Sequence, residues 1–350
     1  MIKGKRFTNP EKSSKKAKAV KITIGIIAVL VIIAVAVVGS LVGQKLGKIN
    51  FQKLDESDLS LNEDMYSEVN GLTQKEYDQV INILFLGSDS RDMENAYEGN
   101  SDANIIISIN PKYKSIKLIS IPRDTAVKIE GMENRYKINA AFARGKEQLA
   151  IKTINHNFDL NLKEYVTVNI SAMYDIINEL GGLELEITKD EMTYINKYID
   201  MFYEFSGKPV QKVTSYGKVT LTGEQVAAHV KERMAGSSSK SESHGDYGRT
   251  QRQREVMTAL INKIVSKDIG EISKIVDMIL SEVTTNADVT KYMGMLPELL
   301  ANKDEYLKNI TSVMVPSLDY SNEILENGAY LYVTDMEKAK KDFIHYMYEI

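Results

Sequence analysis

The sequence predicts an α/β fold in which a mixed central sheet is sandwiched by helices and preceded by one transmembrane helix. Three apolar segments rich in β-branched residues predict strands: Val80–Leu86, Ala103–Ile109 and Ile116–Ile121. Strands that are apolar on both faces need cover on both faces, so helices are expected on each side of the sheet. The segment Ile22–Gly43 has no charged residue and is long enough to cross a bilayer core of roughly 30 Å as a helix.

The charges around this apolar segment predict its orientation. Residues 1–21 hold eight Lys or Arg residues and one acid, Glu11. Because basic segments stay on the cytoplasmic side, we expect 1–21 to be a cytoplasmic tail and 22–43 a single-pass helix in the cell membrane, with the main domain outside. A cleaved signal peptide is the alternative, but its apolar core is normally shorter and ends in small residues. Gln44-Lys45-Leu46 follows here, which favours an uncleaved anchor.

The rest of the chain divides into a polar juxtamembrane spacer at 44–77 and one extracytoplasmic domain at 78–350. Residues 22–350 carry 36 Lys or Arg and 47 Asp or Glu, a net charge of −11, which argues against nucleic acid as a partner. The chain has no cysteine, so disulfide bonds and thiolate chemistry are excluded. It has no phosphate-binding loop of the ATPase type, and its four histidines lack metal-ligand spacing.

Turn residues and helix signals place the other elements. Asn110–Lys114 has turn composition and predicts a hairpin between the second and third strands. The further predicted elements are helical segments at Ala140–Arg144 and Lys146–Asn155, a strand at Tyr165–Ile170, a helix capped by Ser171 and ended by Gly181-Gly182, a strand at Leu183–Ile187, a helix opened by a Thr222/Gln225 capping box, a helix at Asp246–Val265, and strands at Ser312–Val315 and Tyr330–Val333.

The strand order brings four charged residues to one edge of the predicted sheet. Asp89 follows the first strand and Asp102 precedes the second. The hairpin returns the chain, so that Arg123 and Asp124 follow the third strand at the same edge. Two facing carboxylates repel each other, and a hard cation such as Mg²⁺ or Mn²⁺ between Asp89 and Asp102 would relieve that repulsion. The alternative is that each carboxylate caps a turn or a helix, and the residues alone leave both interpretations open.

A second cluster is basic and consists of Lys231, Arg233, Arg249, Arg252 and Arg254. In the helix predicted after Asp246, the apolar stripe through Val256 and Leu260 continues backwards to Gln253, Arg252 and Arg249. These side chains should therefore face inward, where a guanidinium needs an anionic partner. That partner is either a protein carboxylate or a phosphate, and several cations gathered in an acidic domain favour phosphate.

At these residues the chain resembles the LytR–CpsA–Psr family of cell-wall phosphotransferases. The resemblance rests on motifs that follow one another in order between about residues 80 and 265: Leu84–Arg91, Ser101-Asp102, Ser120–Thr125, Lys137–Ala141, Leu221–Ala227 and Gly245–Gln253. The predicted topology of a basic tail, one anchor and an outer domain also matches that family.

The resemblance implies transfer of an anionic glycopolymer, such as teichoic acid or capsule, from a polyprenyl-pyrophosphate carrier to peptidoglycan, forming a phosphodiester beside the lipid bilayer. It implies that Asp89 and Asp102 hold Mg²⁺. With the basic cluster, it implies catalytic residues Asp89, Asp102, Arg123 and Asp124, and substrate-binding residues Arg91, Lys137, Lys231, Arg233, Arg249, Arg252 and Gln253. Asp124 or another acid is the candidate general base.

The chain departs from the family pattern at a few positions. Asn100 and Ala103 stand where the pattern has Arg and Thr, and Lys231 stands where Arg is frequent. A His is also frequent where Ala140 or Ala141 stands. These departures leave a non-catalytic polyprenyl-phosphate-binding scaffold or envelope regulator as the alternative function, with plain pyrophosphate hydrolysis as a third.

Overall fold

The computed structural model describes most of the chain after residue 49. The described residues are 50–88, 99–206, 209–231, 252, 255–256, 259–260, 263, 283–288, 292, 295, 297–299, 301–326 and 329–349. The predicted tail and membrane helix therefore lie outside them. Among the helices in the described ranges, none is both long enough and apolar enough to cross a membrane.

A mixed sheet forms the centre of the described fold. Its strand order is β1 (Asn50–Phe51), β10 (Val283–Thr285), β7 (Glu164–Asn169), β2 (Ile81–Ser88), β3 (Ser101–Asn110), β4 (Ser115–Ser120) and β11 (Ile310–Met314). Strand β3 pairs antiparallel with both β2 and β4. Its pairing with β4 confirms the predicted hairpin. Strand β7 runs parallel to β2, and β11 runs parallel to β4.

Smaller strand pairs and helices complete the described elements. The pairs are β5 (Ala126–Lys128) with β6 (Arg135–Lys137), β8 (Leu183–Ile187) with β9 (Gly217–Leu221), and β12 (Ser321–Glu326) with β13 (Ala329–Thr334). The helices are α1 (Gln74–Gln79), α2 (Asn139–Phe158), α3 (Ile170–Glu179), α4 (Lys189–Ser206), α5 (Gly223–Lys231), α6 (Lys303–Lys308) and α7 (Met336–Tyr348).

Helices cover both faces of the sheet, as predicted. On one face, buried strand residues such as Leu84 and Ile106 pack with Ile151 of α2 and Phe343 of α7. On the other face, Ile107 and its neighbours pack against a cluster that includes the buried Tyr292, Leu299 and Tyr306. Both layers exclude water from the sheet, which is why apolar side chains on both faces of its strands are stable there.

The ends of two helices test the capping predictions. Helix α5 begins with the predicted capping box, in which the Thr222 N–H donates to Gln225 Oε1 at 2.9 Å and the Gln225 N–H donates to Thr222 Oγ1 at 3.4 Å. Helix α3 ends as predicted at Gly181 and Gly182, whose φ angles of 73° and 88° suit glycine. The prediction of Ser171 as the N-cap of α3 was wrong, because the helix already begins at Ile170.

Helix α2 contains a break that separates the two predicted helical segments. Gly145 has φ −148° and ψ 23°, and Lys146 has φ 54° and ψ −148°. A side chain at position 145 would bring its Cβ to 2.5 Å from Leu149 Cβ, so only glycine fits there without a shift. The break therefore divides α2 into a short first segment and a longer second one.

The described part of the predicted spacer packs on the domain. Leu59 and Met65 are fully buried in the core on the α2 face of the sheet. The Asn155 side chain of α2 donates to Leu59 O at 2.9 Å, and strand β1 pairs with β10. Residues 50–77 thus contribute to the core, and the folded unit begins before the predicted boundary at Asp78.

Candidate functional site

Asp102 lies at an irregularity at the edge of the central sheet. Gly87 pairs with Ala103 and Ser88 pairs with Ser101, so Asp102 is the extra residue of a β-bulge in β3. Bulges change the direction of a side chain and frequently occur beside active sites. Ser101 is buried, and its hydroxyl donates to Asn104 Oδ1 at 2.6 Å, which holds the strand start in place.

A tight turn after β4 brings Arg123 and Asp124 to the same edge. The Thr125 N–H and hydroxyl both donate to Pro122 O, at 3.0 and 2.7 Å. The Ile121 N–H donates to Asn104 O at 2.8 Å, which ties the start of this turn to β3. The predicted convergence of Asp102, Arg123 and Asp124 at one edge is therefore confirmed.

Four side chains at this edge form a continuous chain of ion pairs. Arg123 Nη1 donates to Asp102 Oδ1 at 2.8 Å, and Arg123 Nε lies 3.7 Å from Asp124 Oδ1. On the other side, Lys137 Nζ lies 2.6 Å from the same Asp124 oxygen. The Arg123, Asp124 and Asp102 side chains are only 11%, 11% and 14% exposed, so these charges interact with little screening by water. This chain of alternating charges is called the edge network below.

The backbone around the edge network is anchored by several elements. The Ile138 N–H donates to Thr125 O at 3.0 Å, and the Asn139 N–H donates to Arg123 O at 3.4 Å. These bonds place the start of α2 against the turn. From the hairpin β12–β13, the Tyr332 N–H donates to Asp124 O at 2.9 Å. Helix, turn and hairpin therefore meet at Asp124.

Asp124 contacts both cations of the edge network. One of its oxygens lies 3.7 Å from Arg123 Nε and 2.6 Å from Lys137 Nζ. These contacts place Asp124 to orient the two cations. Its role as a general base stays a prediction.

Helix α5 and the buried Arg252 contain the described members of the predicted basic cluster. Arg252 is fully buried, as the apolar stripe predicted, near Val256 and Leu260 of the same helical region. His229 of α5 is also buried. Burial, with a smaller effect from the Arg252 charge, lowers the pKa of His229 to about 3, so this imidazole is neutral at pH 7.

Lys231 is the last residue of α5 and lines a small cavity. The cavity has a volume of about 80 Å³ and lies between α4 and α5. Tyr198, Ile199 and Ala228 form its apolar part, and Glu224 and Lys231 are its charged residues. Lys231 thus has its stem in an apolar environment, which suits a long cationic side chain with a polar end.

Several predicted residues lie outside the described part of the chain. These are Asp89, Arg91, Arg233, Arg249 and Gln253. Their predicted roles, including the metal pair of Asp89 with Asp102, stay predictions. Within the described ranges there is no group of three or more His, Asp or Glu side chains that could hold a metal ion by itself. Asp102 is the described carboxylate that the metal prediction names.

The apolar side chains of α2 and α3 belong to two separate cores. Ile151 and Ile154 of α2 are buried on one face of the sheet. Ile176 and Leu180 of α3 are buried with α4 and α5 in a separate cluster.

Sequence reasoning also missed two cations on α2, Arg144 and Lys146, although Gly145 between them is a signal for a break in a helical pattern.

Fold and site together define an α/β protein with a paired acidic and basic network at the edge of a mixed sheet, a class suited to binding phosphate groups. The chain belongs to the LytR_cpsA_psr family, whose profile matches residues 48–344.

Several relatives in this family are named as transferases. The chain is 30% identical over 344 residues to the polyisoprenyl-teichoic acid–peptidoglycan teichoic acid transferase TagT of Bacillus subtilis, covering 96% of each chain. It is 27% identical over 326 residues to TagV of the same organism, which bears the same transferase name, covering 90% of this chain and 76% of TagV. The solved structure described as TagT bound to LI-WTA has a TM-score of 0.58 and 25% identity, covering 85% of this chain and 99% of that one.

Proposed function

We propose that this protein transfers an anionic glycopolymer from a polyprenyl-pyrophosphate carrier to peptidoglycan. The observation that carries the proposal is the edge network, which holds two cations in fixed positions at the edge of the sheet. The transferase names of TagT and TagV, which match most of this chain, support the same donor and acceptor classes.

The proposed step is a single displacement at phosphorus. A hydroxyl oxygen of peptidoglycan attacks the phosphorus that is bonded to the first sugar of the polymer. The bond from that phosphorus to the bridging oxygen of the pyrophosphate breaks, and polyprenyl phosphate leaves with the electron pair. The hydroxyl proton passes to a base or to solvent, and the product is a phosphodiester between polymer and peptidoglycan.

Arg123 and Lys137 are proposed to stabilise charge on the pyrophosphate. A guanidinium that is already oriented by Asp102 and Asp124 loses little freedom when it binds, so it favours the transition state more than a mobile side chain would. Lys231 and Arg252 belong to the second basic group, and Arg91, Arg233, Arg249 and Gln253 complete the proposed binding set.

We propose that Asp89 and Asp102 hold Mg²⁺ or Mn²⁺. The chemistry of Asp102 fits this ion, since a carboxylate on a bulge at the sheet edge offers a hard oxygen donor, and such ions usually complete their shell with water and phosphate. The ion would supply further neutralisation of phosphate charge when it is bound.

We also propose the membrane location on the basis of the sequence. Residues 1–21 would lie in the cytoplasm, 22–43 would span the cell membrane, and the described domain would lie outside. A substrate with a prenyl tail stays in the bilayer, so an anchored enzyme would meet it there. Cysteine labelling of single-cysteine variants at positions 10 and 218 in intact cells would test this orientation, since only the outer position should react.

The function is tested with purified full-length protein, a lipid-linked oligosaccharide, peptidoglycan fragments and Mg²⁺. A linked product should form with the wild type. The variant D89N/D102N should reduce the rate at least about 100-fold, because both carboxylates proposed to hold the metal ion are lost. The matched control D304N, which changes an exposed acid of α6, should keep full activity. Product formation at the wild-type rate by D89N/D102N would refute the metal assignment.

A non-catalytic scaffold is the second candidate. The observation that favours it is the departure from the family pattern at Asn100, where a cation is lost, and at Ala103. This alternative predicts a polyprenyl phosphate that copurifies with the protein, as mass spectrometry would detect, and no turnover with any acceptor.

A further inference from the structure

Two cations at the break in α2 are not used by the proposed transfer step. Arg144 is exposed and Lys146 is half-buried, and we call them the α2 cations. Both side chains turn back toward the start of the helix. Arg144 Nη1 donates to Ala140 O at 3.3 Å, and Lys146 Nζ lies 5.7 Å from the centre of the Phe142 ring. They therefore extend toward the end of α2 that meets the edge network.

The position of the α2 cations follows from the backbone of the site. The Asn139 N–H at the start of α2 donates to the carbonyl of Arg123. Ala140 is the next residue, and its carbonyl accepts from Arg144. The Arg144 guanidinium also lies 5.2 Å from the ring centre of Tyr136, the neighbour of Lys137. The guanidinium is thus one helical turn away from the edge network.

The α2 cations differ from the neighbouring cations in their partners. Arg135 forms an ion pair with Glu326 at 2.7 Å, and Lys137 forms one with Asp124 at 2.6 Å. In the part of the chain that the structure describes, Arg144 and Lys146 form no ion pair with a carboxylate. Their only interactions there are with aromatic rings and a carbonyl oxygen. Two cations without a carboxylate partner among the described residues are notable because residues 22–350 carry a net charge of −11.

Lys146 also occupies a backbone conformation that suits glycine. Its φ of 54° with ψ of −148° is rarely adopted by residues with a side chain and costs on the order of 1–3 kcal/mol. Strained residues of this kind cluster at functional sites, where the surrounding structure maintains them. A lysine at this position therefore has a cost to stability, which is consistent with a role in binding.

We propose that Arg144 and Lys146 bind the phosphodiester groups of the first repeats of the glycopolymer as it extends from the site. This inference rests on the proposed function, because it assumes a polyanionic donor with its pyrophosphate at the edge network. The α2 cations match that ligand in charge, since repeated phosphodiesters carry one negative charge each. A neutral oligosaccharide would gain nothing from them.

The test compares two donors with full-length protein in neutral detergent. One donor is a polyprenyl-pyrophosphate oligosaccharide without phosphodiesters, and the other carries several glycerol-phosphate units. The variant R144Q/K146Q should raise the KM for the phosphate-bearing donor about tenfold, as expected for the loss of two exposed ion pairs worth a few-fold each. Its kcat for both donors and its KM for the short donor should stay at wild-type values.

The matched control is K75Q/K341Q, which removes the same charge from exposed lysines of α1 and α7. It should leave both KM values unchanged. If both double variants raised the KM for the phosphate-bearing donor equally, the effect would come from the net charge of the protein, and the proposal would be overturned. A KM increase for both donors in R144Q/K146Q would also overturn it, since the cations would then act at the pyrophosphate. Thermal unfolding would confirm that R144Q/K146Q folds.

A binding measurement separates this inference from the proposed function. Titration with a soluble glycerol-phosphate oligomer should show about tenfold weaker binding by R144Q/K146Q, whether or not the protein turns over any donor. Equal binding by the wild type and the variant would overturn the inference even if transfer is observed. An effect seen only on vesicles of anionic lipid, and for both donors, would assign the α2 cations to the membrane surface and overturn the inference.

Discussion

Arg123 is the residue on which the site geometry converges. It lies between Asp102 and Asp124, with the carboxylates at 2.8 and 3.7 Å from its nitrogens. A lysine in the same place has one compact charge and cannot satisfy both carboxylates from fixed directions. The planar guanidinium is therefore the feature that joins the bulge on β3 to the turn after β4.

Replacing this guanidinium gives the first prediction. R123K should lower kcat roughly 100-fold, because removal of one oriented donor to developing charge typically costs that much. The measurement is the rate of linked product formation with saturating donor. The control R135K changes an arginine that pairs with Glu326 on β12, and it should keep the wild-type kcat. A wild-type rate in R123K would exclude the guanidinium from the reaction.

The buried His229 gives a prediction about acid stability. Its pKa is about 3 in the folded protein and about 6.5 when unfolded, so the folded state binds fewer protons between these values. The free energy of unfolding should therefore be unaffected by His229 above pH 6.5 and fall as the pH is lowered below it, by at most about 1.4 kcal/mol per pH unit.

The measurement for His229 is urea unfolding of the wild type and H229Q from pH 7.5 to pH 4. The wild type should lose stability more steeply than H229Q below pH 6.5, and the two slopes should agree above it. The exposed His156 on α2 serves as the control, since H156Q should follow the wild-type slope. Parallel curves for the wild type and H229Q over the whole range would contradict the assignment.

The backbone strain at Lys146 gives a prediction about stability. K146G should raise the free energy of unfolding by about 1 kcal/mol, because glycine adopts this backbone without strain. K75G in the ordinary helix α1 should lower it by about 1 kcal/mol. Urea unfolding measures both. A K146G variant less stable than the wild type would show that the Lys146 side chain contributes more than its backbone costs.

At the scale of elements, the path from β2 to β4 was accessible from the sequence, but the irregularities of these strands were not. The apolar segments and the Asn110–Lys114 turn predict the antiparallel path from β2 to β4, which is why Asp102 and Arg123 could be placed together. The bulge at Asp102 depends on one extra residue between paired strands, and its pairing leaves no compositional trace. The direct ion pair of Arg123 with Asp102 depends on that bulge, so the sequence did not predict it. The metal ion predicted between Asp89 and Asp102 stays a prediction.

The helices likewise have some features that the sequence predicts and others that it does not. The apolar stripe at Val256 and Leu260 correctly predicts that Arg252 faces inward, because a periodic pattern reports which side is buried. The packing of α3, α4 and α5 into their own cluster joins residues far apart in sequence, and no local pattern encodes it. Ser171 failed as a cap for a related reason, since the strand β7 passes directly into α3.

The break in α2 gives a prediction for an element. In G145A the new Cβ would lie 2.5 Å from Leu149 Cβ, so α2 must shift or bend. We expect a loss of about 1–3 kcal/mol in the free energy of unfolding, the usual cost of overpacking, measured by urea denaturation. A143S on the exposed side of the same helix should change stability by less than about 0.5 kcal/mol. A stable G145A would show that the break is easily rearranged.

At the scale of the molecule, residues 50–77 act as part of the core. Leu59 and Met65 are fully buried, and their removal would expose the helices they cover. A chain beginning at residue 48 should therefore unfold cooperatively in a thermal scan, as the family match from that residue also suggests. A chain beginning at residue 78 should lack a cooperative transition. Equal melting temperatures would restore the boundary at Asp78 that the sequence predicted.

The pairing of β1 has a consequence for how the domain would stand on a bilayer. β1 runs parallel to β10, and β10 runs antiparallel to β7, so Asn50 enters the sheet from the end at which β2 and β7 finish. That end carries Asp102 and Arg123. If residues 22–43 span the membrane, the six residues 44–49 reach at most about 20 Å. The short tether would then hold the reactive edge facing down onto the lipid headgroups, and a prenyl-linked donor could be engaged without being lifted out of the leaflet.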